Sequence, residues 1–281
     1  MRIDAHHHIW DLTVRPQDWM TPDVAAVIGR SFSIADWTEA ATASGVDRSI
    51  IVQTVTDPAE TPEMLEIAAA HEQVAGVVGW LRFDDTVEAQ IDGVRSGAGA
   101  DKWVGVRDLA EYVTDPRWLA SDTAIGCIGT VGAAGLTVDL LTRPHQLPAA
   151  VEAVRANPDV HFVVDHLSKP DIAGGRLAEW QQLINQLAPY ENVACKVSGL
   201  VTEARAGWQP ADLAPYVDTV LESFGPGRLM FGSDWPVCLL ATDYAGVVAA
   251  AEALTGQLSQ PETDQFWSGT ATRWYRLDGD V

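Results

Sequence analysis

The chain has 281 residues, 47% of them hydrophobic and 20% charged, which describes an ordinary folded globule with enough apolar side chains for a sizeable core. Its 39 acidic against 18 basic residues leave a formal charge of −21, which sets it against nucleic acid and anionic membranes as partners but leaves room for an acidic or lactone substrate, because local basic groups can dominate a cleft. The cysteines Cys127, Cys195 and Cys238 lie far apart with no C-x-x-C pair, the start of the chain carries Asp4 and histidines in place of a signal peptide's apolar region, and no apolar run approaches a membrane span, so free thiols in a soluble, cytoplasmic protein are expected.

The chain opens on Ile3-Asp4-Ala5-His6-His7-His8, which reads as a strand. Alternation would put Asp4, His6 and His8 on one face, with Ile3, Ala5 and His7 on the other. Two imidazoles a pleat apart can grip one divalent ion, because neutral imidazole is a common ligand for zinc and its neighbours. The stretch 11–32 follows, polar and without helical or strand period, and contains Pro16, Trp19, Met20 and Pro22. A connection of that length is expected to be a lid or specificity loop, with Trp19 and Met20 closing over the substrate mouth. Ser33-x-x-Asp36 opens a helix with Ile34, Trp37 and Ala41 on one face and Gly45 as its stop.

A β-branched run at 49–55 reads as a buried strand, and Pro62 opens a helix with Leu65, Ala68 and Ala69 as its apolar stripe. The alternation continues. Strands are expected at 77–83, 103–109, 136–141, 161–167, 193–198 and 228–234. Helices are marked between and after them by Val87, Ile91 and Val94; by Leu119, Ile128 and Val131; by Leu147, Val151 and Val154; by Leu177, Trp180, Leu183 and Leu187; by Leu213, Val217, Val220 and Phe224; and by 244–254. Strand–helix alternation of this kind predicts a parallel sheet, and eight such units predict a closed (β/α)8 TIM barrel. An open doubly wound sheet is disfavoured because no G-x-G-x-x-G follows the first strand. No linker, repeat or low-complexity segment divides the chain, so one domain over residues 1–281 is expected.

In such barrels the chemistry sits at the C-terminal ends of the strands. His6 and His8 end the first, Asp165-His166 the sixth and Asp234 the eighth, while Arg107 lies near the end of the fourth and Lys196 near the end of the seventh. Asp165 and His166 are adjacent, so one of them points inward; His166 is the choice, with Asp165 behind it. Arg107 and Lys196 either neutralise rim carboxylates or bind substrate. His7 points the wrong way on the pleat, and His71, His145 and His161 read as ordinary polar positions. His6, His8 and Asp234 would form a three-ligand metal site with an open position. His166 is a fourth ligand or a proton donor, and Asp234 the base.

Taken together, Asp4-x-His6-x-His8, Asp165-His166-Leu-x-Lys169-Pro170, Lys196-x-Ser198-Gly199 and Phe231-Gly-Ser-Asp234-Trp-Pro236 resemble the amidohydrolase-related lactonases, in particular the L-fuconolactonase and L-rhamnonolactonase type. Val104-Gly-Val-Arg107 and the segment 269–277 fit the same resemblance, which runs the whole length. It implies a metallo-dependent-hydrolase barrel that opens a sugar lactone, with catalytic Asp234 and His166 and with Arg107, Lys196 and Trp19 on the substrate. Asp108 follows Arg107 where this group often has histidine, and the fifth strand offers Val138 and Asp139 with no histidine. One zinc or manganese ion at His6, His8 and Asp234 is therefore the most the site would hold, and relatives in this branch work with one ion or none. Two rival readings remain: a decarboxylase of aromatic or enol acids on the same scaffold, and a sugar-acid binding protein without turnover.

Overall fold

Eight short stretches rich in β-branched and small residues form the strands of the computed structural model, which describes residues 1–277. They are β1 (Ile3–His7), β2 (Arg48–Val52), β3 (Val74–Gly79), β4 (Trp103–Asp108), β5 (Thr137–Leu140), β6 (Phe162–Val164), β7 (Val193–Val197) and β8 (Leu229–Phe231). Each pairs in parallel with the next, in sequence order. The ring is joined beyond β8, where the Asp234 N–H donates to the His6 carbonyl at 2.8 Å and the His8 N–H to the Trp235 carbonyl at 2.6 Å. The expected (β/α)8 barrel is the fold observed.

A helix follows each strand: Ile34–Ala43, Glu60–Ala70, Val87–Arg95, Asp122–Ala133, Leu147–Ala156, Leu177–Ile184, Pro210–Phe224 and Tyr244–Leu254. Ser33 and Asp36 cap the first of these reciprocally, each satisfying a backbone N–H that the helix cannot. Several boundaries differ from expectation. The third strand starts at Val74 rather than 77, and Ala69 is exposed while Met64 fills its place in the core. The stretch 11–32 is not structureless, because Thr21 caps and Pro22 starts a helix, Pro22–Ile28, that buries Ile28. Among the described residues no helix is long and apolar enough to cross a membrane.

The apolar residues divide into two layers. One lies between strands and helices, where Ile51, Val77, Val106, Val138 and Phe162 meet Trp37, Leu65, Ile128 and Trp180. The other fills the barrel, where Ile3, Ile50, Val78, Val104, Val163 and Met230 pack against Trp274, Tyr275 and Leu277. Trp274 accepts from the Thr137 hydroxyl at 2.6 Å and donates from its indole to the Phe162 carbonyl at 3.1 Å, both at strand beginnings. The C-terminal helix Thr270–Trp274 and the residues after it therefore stopper the N-terminal mouth. The C-terminal mouth is left for polar groups.

Candidate active site

Regular alternation along β1 fails at the point that matters. The β1–β2 register shifts between Asp4 and His7, so a bulge lies within the histidine motif and re-aims the side chains after it. The Asp4 carboxylate accepts from the His6 backbone N–H at 3.1 Å but turns away from the His6 ring, toward the helices. It accepts from the Ser233 N–H at 2.8 Å, the Ser233 hydroxyl at 2.6 Å, the Tyr244 hydroxyl at 3.0 Å and the Trp37 indole at 3.2 Å. The expectation that Asp4, His6 and His8 share one face is thus corrected. Asp4 is a strap that ties β1 to the segment after β8. His7 also faces outward, stacked on Trp37 and bonded to the Ser49 hydroxyl at 2.9 Å.

His6, His8, His166 and Asp234 come together at the C-terminal end of the barrel. His6 Nε2 and His8 Nε2 are 3.2 Å apart, and Asp234 Oδ1 is 3.8 Å from the first, 3.4 Å from the second and 3.9 Å from His166 Nε2. Local backbone makes this approach feasible. The strands predicted at 161–167 and 228–234 end early, because His166 and Asp234 adopt left-handed φ values of 52° and 55° that swing their side chains to the axis. Gly232 is required beneath them: a β-carbon there would lie 2.8 Å from His6 Cβ. A side chain at Gly199, itself at φ 65°, would meet His166 Nδ1 at 2.7 Å. Ser198, one residue before, bonds that same Nδ1 at 2.9 Å and orients the ring.

Burial governs the charge of these groups. It drives the His6 pKa well below the ordinary imidazole value against the raising effect of Asp165. It likewise brings His166 down to about 4, against Asp234 and Asp165, so both rings are neutral at pH 7. Burial pushes Asp234 up, but His166, His8 and Lys169 outweigh it and hold the carboxyl below the usual range. The site sets an ionised carboxylate beside the neutral rings of His6 and His166.

These residues fit a divalent ion. The ligand atoms of His6, His8 and Asp234 lie within 4.8 Å of one another. Their separations of 3.2, 3.4 and 3.8 Å bracket the edge of about 3.3 Å that zinc–nitrogen bonds of roughly 2.0–2.1 Å give in a tetrahedron. His8 Nδ1 lies 2.8 Å from the Val52 carbonyl and must donate to it, which leaves Nε2 with a lone pair facing the cluster. A deeper trio of His6, Asp165 and His166 is also close enough, but Asp165 is already held by Lys196 at 3.0 Å and Arg107 at 3.2 Å.

Above the cluster is a cavity of about 80 Å³ lined by His8, Trp19, Thr54, Arg107, Leu109, Tyr112, Leu141, His166, Lys169, Asp234 and Val237. Arg107 and Trp19 are in its wall, whereas Met20 is not. Arg107 is anchored by Asp165 and by the carbonyl and side chain of Gln53. Trp19 sits edge-on to Trp10 with its indole on Gln17 at 2.8 Å. Lys196 requires correction as a substrate contact. It is 0% exposed, below the cavity floor, with its ammonium 2.5 Å from Asp139 and 3.0 Å from Asp165; of the two roles the sequence allowed, neutralising carboxylates is the one observed. The lysine in the wall is Lys169, 2.6 Å from Glu111. It lies in the Asp165–Pro170 motif, and that was the signal for it. A larger groove of about 680 Å³ beside the helix Glu60–Ala70 contains none of the cluster.

Motifs, barrel and cluster converge on one family. The family model described as amidohydrolase matches residues 3–277, and the chain belongs to that family. Among curated proteins, it is 35% identical over 281 residues to an L-fucono-1,5-lactonase of Burkholderia ambifaria, covering 99% of this chain and 96% of that one. An L-fucono-1,5-lactonase of Burkholderia multivorans is also 35% identical, over 293 residues, with 99% and 96% covered. Among solved structures, an amidohydrolase from Burkholderia multivorans with bound zinc superposes with a TM-score of 0.92 at 32% identity, covering 99% of this chain and 100% of that one.

Proposed function

We propose that this protein hydrolyses a sugar lactone, an aldonolactone such as L-fucono- or L-rhamnonolactone, to the open-chain sugar acid. The observation that carries this reading is the full-length similarity to two L-fucono-1,5-lactonases, and the buried carboxylate beside the neutral rings of His6 and His166 supports it. In the reaction, water adds to the lactone carbonyl and the ring C–O bond breaks. Asp234 takes the proton from the attacking water and returns it to the departing alkoxide. His166, its Nδ1 on Ser198, presents Nε2 to the carbonyl oxygen. Arg107 and Lys169 bind the ring oxygens and the nascent carboxylate, and Trp19 covers one face of the sugar.

His6, His8 and Asp234 are the residues to hold one zinc or manganese ion, which when bound supplies Lewis-acid polarisation and a more acidic water. A lactone is an activated ester, so Asp234 and the imidazoles form a sufficient set without it. The buried, unpaired cysteines support a reducing, cytoplasmic location.

A pH-indicator assay over fucono-, rhamnono-, galactono- and arabinono-lactones, with and without chelator, tests the reading. At least one lactone should open well above its rate in buffer. If none does, and aromatic acids release carbon dioxide instead, the decarboxylase reading replaces this one; binding without turnover favours a sugar-acid binding protein.

A further inference from the structure

Beneath His6 lies a buried polar column that the hydrolysis reading does not use. The Tyr275 hydroxyl, at the stoppered end of the barrel, donates to Asp139 at 2.8 Å. Asp139 accepts from Lys196 Nζ at 2.5 Å, and the same ammonium lies 3.2 Å from His6 Nδ1. An ammonium has donors only. His6 Nδ1 must therefore offer its lone pair, which puts the ring proton on Nε2. The next contacts agree with this assignment. His6 Nε2 is 3.2 Å from His8 Nε2, and His8 carries its own proton on Nδ1, bonded to the Val52 carbonyl at 2.8 Å. The other donor near His6 Nε2, Arg107 Nη1, is farther at 3.4 Å, and one of its two hydrogens serves Asp165 at 3.2 Å. The shorter contacts set one proton order, from Lys196 through His6 and His8 to the backbone.

That order conflicts with metal binding, because the Nε2 that would face an ion carries a hydrogen. To bind, His6 must adopt the opposite tautomer, with its proton on Nδ1 and an acceptor waiting there. The acceptor is present. Asp165 Oδ1 lies 3.4 Å from His6 Nδ1; it is ion-paired with Lys196 at 3.0 Å, but no donor meets it in hydrogen-bond geometry. The two arrangements compete for one nitrogen.

We propose that Lys196 is a positioning residue that locks His6 in the Nε2–H tautomer, and so lowers the affinity of the His6–His8–Asp234 site for a divalent cation. Binding moves the imidazole proton from Nε2 to Nδ1, transfers the Nδ1 hydrogen bond from Lys196 to Asp165, and neither takes up nor releases a proton at His6. The inference rests on the cation site and not on the lactone reading, because its test reads no activity.

Zinc affinity of the full chain is measured by calorimetry for the parent, for Lys196→Met, and for Lys196→Met with Asp139→Asn. The double variant removes the cation together with one of its carboxylates, and so folds where the single change leaves too much buried negative charge. Affinity should rise by about tenfold or more, the lower end of the range by which partners behind metal ligands tune binding. Nitrogen-15 NMR of the metal-free parent, with His6 assigned by loss of its signals in His6→Gln, should show the proton on Nε2. A proton on Nδ1 in the metal-free parent, or zinc affinity that is unchanged or weaker in the variants, overturns the proposal.

Discussion

At one mouth of the barrel, Trp274, Tyr275 and Leu277 are buried against Ile3, Val104 and Met230, and at the strand starts Trp274 accepts from the Thr137 hydroxyl and donates to the Phe162 carbonyl. At the other mouth an ionised carboxylate, two histidines and an arginine sit almost fully buried around a small cavity, with His6 beneath them. The first end contributes stability through dispersion and apolar burial. The second end costs stability, because charges and imidazoles are taken out of water, and a cost of that kind persists where chemistry depends on it. A polar column of Tyr275, Asp139 and Lys196 joins the two ends, and in it burial pushes the Asp139 carboxyl up to about 6 against the pull of Lys196.

Two substitutions of opposite kind separate the ends. Asp234→Asn keeps the shape of the rim and removes its base. It should lower kcat by roughly 10²–10⁴ while the urea midpoint stays close to that of the parent; near-full activity would remove Asp234 from the mechanism. Trp274→Ala opens a void in the stopper. It should cost about 3–5 kcal/mol of unfolding free energy in urea titration and leave kcat/KM within a fewfold of the parent under conditions where the variant is folded. A large catalytic loss at full stability would show that the stopper supports the site as well as the fold.

The rim's electrostatics make a prediction of their own. With His166 lowered to about 4 and Asp234 below its usual range, both keep their working protonation states as pH falls through 6.5. Activity is lost only when Asp234, the base, takes up a proton, below the usual carboxylate range. The acid limb of kcat/KM should therefore lie at or below about 4 rather than near 6.5. A limb near 6.5 would mean that the His6 and His166 rings titrate as if exposed to water.

Much of this difference between the ends was legible in the chain. The β-branched run at 49–55 and the helical stripes between strands identify a barrel, because burial on both faces leaves near-continuous apolar strands. Histidines and aspartates at strand ends mark the functional mouth. Three features escaped the pattern. Alternation assumes an unbroken pleat, so it could not register the bulge that turns Asp4 away from His6. It orders residues along a strand but gives no depth along the barrel axis. Lys196, inside β7, was therefore read as reaching substrate, while Lys169, carried to the cavity wall by a left-handed turn, was given no role. The helix Pro22–Ile28 was missed because it has a single buried residue and hence no stripe, although Thr21-Pro22 is a good start signal.

The smallest expected effect falls on the loop that borders the rim. Trp19 is half-buried, lines the cavity, and leans on Trp10 at a ring separation of 5.9 Å. It touches none of the four cluster residues through a hydrogen bond; its indole N–H is spent on Gln17 at 2.8 Å. Its contribution is apolar surface offered to a bound sugar, equal in ground and transition states, and such uniform binding appears in KM and not in kcat. Trp19→Ala should raise KM by about 5–30-fold, the equivalent of roughly 1–2 kcal/mol, with kcat and the urea midpoint nearly unchanged. Unaltered KM together with a lower midpoint would assign Trp19 to the packing of Trp10 and Phe32. A fall in kcat would mean that the loop also orders the reacting groups, and would join it to the catalytic end of the barrel.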